Sequence, residues 1–223
     1  EKEYLITVNK TQEKSYTQVI ADRQAHASQI RAALFALRDT AAISFGDALK
    51  YAQAAGAKPG VRPAFLLAIL KQESNLGQNV GACLVTDLST GNGAGKNSGT
   101  LFQQVMKAPR DTVPFKAITD RLGKDWSNTP VSCPLGVTYN SSRGYGGGMG
   151  PSQFIPSTWE LFKDQVGSAL GIPGDSANPW NAQHAFMATA IYMQQLGAVS
   201  GSFTAERNAA CKYYSGSSCS STR

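Results

Sequence analysis

One carboxylate stands at the end of a helix-compatible apolar run, and that pairing of residue types is suited to proton transfer. Phe65-Leu66-Leu67-Ala68-Ile69-Leu70 is unbroken apolar sequence, and Glu73 follows three residues later in Lys71-Gln72-Glu73-Ser74-Asn75. On a helix, positions 66, 69, 70 and 73 share one face, because about 3.6 residues complete a turn. Leu66, Ile69 and Leu70 would bury that face and carry Glu73 to the edge of the core. A carboxyl group at an apolar boundary loses solvation, which disfavours its charged form and raises its pKa. Such a group can give up a proton near neutral pH. The alternative at this stage is an ordinary helix whose Glu caps or ion-pairs at its polar end.

Other chemistries are poorly supported. His26 and His184 lie far apart and in no ligand motif, so no metal site is expected. The Gly-x-Ser-x-Gly elbow of serine hydrolases is absent. A cysteine nucleophile requires free thiols. Five glycines fall within Gly144-Tyr145-Gly146-Gly147-Gly148-Met149-Gly150. The Gly-Lys-Ser/Thr ending of a phosphate-binding loop does not follow them. Close approach of backbone to a ligand or to another segment explains such a cluster better. No cofactor is expected.

The elements that must hold these residues read as mainly α-helical. Residues 1 to about 40 are polar and free of Pro and Gly, which suggests a long N-terminal helical extension. Residues 41–223 would form the main domain. Ser44-Phe45-Gly46-Asp47 resembles a capping box, opening a helix to about Ala55. Pro63 suits the first turn of the Glu73 helix, and Gly77 its stop. Residues 78–143 read as a long irregular insert with one short helix over 110–122. Ser157-Thr158-Trp159-Glu160 looks like a second capping box, for a helix to about Val166. Asn178-Pro179 would open the next helix, running to Gly197, and Thr204 the last. No strand or internal repeat stands out.

The chain has 223 residues, 42% hydrophobic and 16% charged, with a net charge of +6. A basic balance favours an anionic partner. No dense Lys/Arg run or nucleic-acid module is visible, so nucleic acid is not expected. No apolar run approaches the roughly 20 residues that span a bilayer. Glu1 opens the sequence without a methionine, so it reads as a mature or trimmed fragment whose export signal or anchor would precede it. Of three possible cysteine pairings, Cys83–Cys133 and Cys211–Cys219 each close a local Gly/Ser-rich segment. Two disulfides would place the protein outside the cytoplasm.

Four segments occur in the order found in lytic transglycosylases, bacterial cell-wall enzymes with a goose-type-lysozyme-like fold. They are Glu73-Ser74-Asn75, Gly148-Met149-Gly150-Pro151-Ser152-Gln153-Phe154-Ile155-Pro156, Ala190-Ile191-Tyr192 and Tyr213-Tyr214-Ser215-Gly216. The second most resembles the membrane-bound lytic murein transglycosylase B branch, and the resemblance covers roughly residues 44 to 216. It implies cleavage of the β-1,4 bond between N-acetylmuramic acid and N-acetylglucosamine in peptidoglycan, with formation of a 1,6-anhydro sugar. Glu73 would act first as acid and then as base. Ser74, Tyr145, Gln153, Tyr192 and Tyr214 would bind substrate, with support of Glu73 as the alternative role for Ser74 and core packing as the alternative for Tyr192. The partners implied are glycan strands, plus a cell-wall or membrane-anchored partner through the N-terminal helix, with the chain itself a monomer. Asp87, Asp111, Asp120 and Asp125 are the candidate second acids, each with an ordinary alternative as loop, cap or surface charge. Two departures concern substrate positioning: Gly144 stands where relatives often carry serine, and Tyr214-Ser215 where they carry tyrosine-asparagine. A muramidase of the same fold, or an inactive peptidoglycan-binding module, remain alternatives.

Overall fold

The structure is a computed structural model and describes residues 16–20, 22–23, 43–134, 144–215 and 219. It divides into two compact units, Glu1–Phe45 and Gly46–Arg223. In the first, residues 16–20 and 22–23 are helical; the rest of the expected N-terminal helix lies outside the described residues. No helix among the described residues is long and apolar enough to cross a membrane.

The second unit is mainly helical. Its helices are α1 (Phe45–Ala57), α2 (Pro63–Ser74), α3 (Thr112–Arg121), α4 (Pro156–Leu170), α5 (Ala182–Gln195) and α6 (Phe203–Ser215). Helix α5 is the core element. Ala185 to Ile191 are all buried without a break, as is Met193. A helix that is apolar all round must be surrounded, and α2, α4 and α6 all pack against it. Leu66, Ile69 and Leu70 are buried, so the apolar face of α2 lies where its periodicity puts it.

Several ends differ from expectation. Helix α1 continues to Ala57 through the buried Gly56, where a Cβ would meet Val61 O at 2.2 Å. Helix α2 stops at Asn75 rather than Gly77. Asn75, Leu76 and Gly77 are all left-handed, with φ of 53°, 56° and 83°. Asn tolerates this region because its short polar side chain bonds locally. Helix α4 has Ile155 as N-cap with no side-chain cap. Its expected cap, Ser157, donates instead to Asp111 Oδ1 at 2.6 Å, a longer-range partner that local sequence does not reveal. The cap of α5 is Asn181, which accepts from His184 N–H, while Asn178 turns the chain by accepting from Trp180 N–H at 2.9 Å.

The insert is not irregular throughout. It contains an antiparallel sheet in the order β1 (Cys83–Asp87), β2 (Asn92–Gly95), β3 (Leu101–Phe102). Strand β2 reads Asn-Gly-Ala-Gly, which has no strand propensity. Packing selects it: a Cβ on Gly93 would lie 2.0 Å from Leu84 O. Cys83 then exchanges two backbone hydrogen bonds with Val131, of 3.0 and 2.9 Å. The Cys83–Cys133 disulfide closes the same base, 50 residues apart in sequence, and Cys211 pairs with Cys219.

Candidate functional site

Glu73 lies in the last turn of α2, half-buried, at one wall of a cleft of about 400 Å³. Gln78, Asn79 and Gly81 continue that wall, and Ser132, Cys133 and Gln153 line the cleft with them. Among the described residues lining the cleft, Glu73 is the one carboxylate. Burial pushes its pKa above the ordinary carboxylate value, and hydrogen bonds from the Tyr214 and Tyr213 hydroxyls partly oppose this by stabilising the charged form. The net direction is upward, so the proton is held to a higher pH than on an exposed glutamate.

The two tyrosines differ in depth. Tyr214 is 51% exposed. Tyr213 lies deeper, and its hydroxyl also faces Ser152 O at 3.3 Å. One phenolic proton therefore has two acceptors. Burial and the neighbouring Glu73 charge raise the pKa of both phenols, so each remains a donor. Tyr213→Phe should remove one donor from the Glu73 carboxylate and raise its pKa further. NMR titration of the Glu73 carboxyl carbon would read that shift; no shift would mean that Tyr214 alone holds the group.

A short turn opposite Glu73 is pinned from three helices. Met149 N–H donates to Phe154 O at 3.0 Å, and Gln153 N–H to Gly150 O at 3.3 Å, which closes a turn over residues 150–153. From α2, Ser74 Oγ donates to Pro151 O at 2.6 Å and accepts from Gly77 N–H at 2.8 Å. From the turn, Ser152 Oγ bonds α5 at Ala185 O and at Thr189 Oγ1, both at 2.8 Å. From α6, Tyr213 reaches Ser152 O. Gln153 ends the turn in the left-handed region, at φ 53°. Its Nε2 donates to Gly150 O at 2.6 Å, and its Oε1 would lie 2.8 Å from a Cβ on Gly148. The glycine run thus lets backbone lie flat under the Gln153 amide.

The expected binding residues separate into two groups. Gln153 lines the cleft, and Tyr214 touches Glu73. Ser74 does not meet the expectation of a substrate contact: it is 1% exposed with its hydroxyl committed to the turn, so it positions Glu73 and Pro151. Tyr192 likewise lies in a ring cluster, 5.9 Å from Phe154, 5.0 Å from Phe162 and 5.4 Å from Tyr213 between centroids. It supports Tyr213 from below. Tyr145 is 43% exposed and stands beside Gly146, whose N–H donates to Gln104 O.

The four aspartates have structural roles. Asp87 accepts from Ser89 and Thr90 side chains, which lower its pKa to about 2. Asp111 is buried against Arg110 and Ser157. Asp120 pairs with Lys116. Asp125 caps the short turn at Trp126–Asn128 by accepting from Ser127 N–H at 2.9 Å. No group of three or more His, Cys, Asp or Glu suited to a metal occurs among the described residues.

Gln78, Asn79, Gly81 and Ser132 were not expected in the site. The paired cysteines carried the signal: a Cys83–Cys133 bridge forces residues 82 and 132 together, and 79–81 follow directly from the Glu73 helix.

No family model matches the chain, and no curated protein matches it. Among solved structures it is similar to the crystal structure of soluble lytic transglycosylase SltB1 from Pseudomonas aeruginosa, with 19% identity and a TM-score of 0.45. The match covers 69% of this chain and 44% of that one, so the chain spans less than half the length of that structure.

Proposed function

We propose that the protein is a peptidoglycan lytic transglycosylase. The observation that carries this reading is Glu73: a half-buried carboxylate with a raised pKa, alone of its kind among the described residues of a cleft whose other hydrogen-bonding side chains are the amides of Gln78, Asn79 and Gln153 and the hydroxyl of Ser132. Amide and hydroxyl groups suit hydroxyl-rich sugars. The four segments shared in order with lytic transglycosylases support the same substrate.

Protonated Glu73 donates to the glycosidic oxygen between the muramyl and glucosaminyl residues. The C1–O bond breaks, and the leaving oxygen keeps the proton. Glu73, now a carboxylate held by Tyr213 and Tyr214, takes the proton of the muramyl C6 hydroxyl. That oxygen bonds to C1 and closes the 1,6-anhydro ring. The usual glycosidase places a second carboxylate across the bond; here the substrate's own groups take its place. Gln153, fixed by the turn, hydrogen-bonds the sugar beside the cleaved bond. The two disulfides fit an oxidising, extracytoplasmic location.

Mass spectrometry of digested wall sacculi tests this. The expected products are anhydro-muropeptides. Products heavier by one water would instead identify a muramidase, and binding without any release would identify a wall-binding module.

A further inference from the structure

Ser132 shares the cleft with Glu73 and has one polar group unused. Its backbone is fully engaged: its N–H donates to Gly148 O at 2.9 Å, and its carbonyl accepts from Gly147 N–H at 3.0 Å. Val131 before it bridges Cys83, and Cys133 after it is held in the disulfide. The side chain is oriented as well, because Ser132 Oγ accepts from Gly148 N–H at 2.8 Å. A serine hydroxyl also has one proton to give, and no group among the described residues accepts it.

Gln153 presents the complement. Its Nε2 lies 2.6 Å from Gly150 O and 3.5 Å from Asn79 O. Both are carbonyl oxygens, which fixes the orientation of the amide and leaves Oε1 on the Gly148 side. No donor among the described residues reaches Oε1. A Cβ on Gly148 would lie 2.8 Å from Gln153 Oε1 and 3.0 Å from Ser132 Oγ. The two oxygens therefore flank one point, and no hydrogen bond joins them. Asn79 sets this pair beside the end of the Glu73 helix, since its N–H donates to Ser74 O at 2.8 Å.

A group between the two must accept from Ser132 and donate to Gln153. A hydroxyl does both through one oxygen, with its partners roughly 4 to 5.5 Å apart. An amide does not, because its N–H and C=O point opposite ways in the trans form. A carboxylate has no proton to donate. We propose that Ser132, carried in by the disulfide-stapled insert, is a substrate-binding residue that grips one hydroxyl of the glycan together with Gln153. This rests on the peptidoglycan reading above. On a 1,4-linked chain of 2-acetamido sugars, the hydroxyls open to such a grip are at C6 of each ring and at C3 of the glucosaminyl rings.

Calorimetry with tetramers of N-acetylglucosamine, intact or lacking a single C3 or C6 hydroxyl, tests this in the Glu73→Gln background, where nothing turns over. Deleting the gripped hydroxyl should weaken binding about ten-fold, the scale of one or two neutral hydrogen bonds. Ser132→Ala should weaken the intact tetramer about as much and lose nothing further when that same hydroxyl is deleted. Every other deletion should cost the two proteins alike. Ser132→Thr keeps the hydroxyl and should restore both affinity and discrimination. Ser132→Ala also takes an acceptor from Gly148 N–H, but that structural loss would weaken all tetramers by one factor without erasing a single preference. Uniform weakening, or none, overturns the proposal and leaves the peptidoglycan reading standing. Retention of sacculi without any tetramer binding does the same; absence of both overturns both.

Discussion

Glu73→Gln should abolish wall lysis while leaving sacculus binding intact. Loss of a general acid costs roughly 10² to 10⁴ in rate, and in the proposed mechanism one residue serves both proton transfers. The expected fall in kcat is at least about 10³-fold. The amide keeps the shape of the carboxyl group, and its oxygen still accepts from the Tyr213 and Tyr214 hydroxyls that bond Glu73. The fold around it should therefore persist, and thermal unfolding should match the wild type. Among the described residues no other candidate acid is placed to take over: Asp87, Asp111, Asp120 and Asp125 are all engaged elsewhere. Glu73→Asp should fall between the two proteins. It keeps the acid but draws it back by one methylene, and a displacement of about 1 Å costs on the order of 10²-fold. Turbidity loss of purified sacculi measures both variants. Full lysis by Glu73→Gln would move the acid to another residue.

The helix that carries Glu73 was legible because its signal is local. Leu66, Ile69 and Leu70 repeat at helical spacing, and Pro63 marks the first turn. The cleft opposite was legible only as a glycine run followed by Gln153. What fixes the turn is invisible to local pattern: Ser74 reaches residue 151, Ser152 reaches residues 185 and 189, and Tyr213 reaches Ser152. Each of these residues is small or aromatic and fits many settings. Ser74 in particular sits next to the acid in sequence, which suggests contact with substrate, yet helix geometry turns it inward to the core. The sheet was missed for a related reason. Glycines in β2 oppose strand propensity, and their presence makes sense only once Leu84 lies against Gly93.

That long-range pinning makes Gly150 the residue where stability and catalysis meet. It is left-handed, at φ 59°, and a Cβ there would lie 2.0 Å from Pro179 O, 2.8 Å from Pro179 C and 2.9 Å from Trp180 Cα. All three are backbone atoms, so no side chain can swing aside. Gly150→Ala should cost about 1 kcal/mol for the left-handed conformation and a further 1 to 3 kcal/mol or so for the displaced backbone. With a total near 3 kcal/mol, Tm should fall by roughly 6–12 °C for a unit of this size. The loss of activity should exceed what unfolding explains, because Pro151, Ser152 and Gln153 move with the turn. At a temperature where the variant remains folded, kcat/KM should still drop by about 10²-fold. Gly171→Ala separates the two causes. Gly171 is also left-handed, at φ 70°, but a Cβ there meets nothing within 4 Å. It should lose only about 1 kcal/mol and keep full activity. Equal losses in the two variants would mean that backbone conformation alone governs Gly150; a larger loss at Gly150, with activity falling alongside, locates the effect in the contact between the turn and the Pro179-Trp180 segment that backs it.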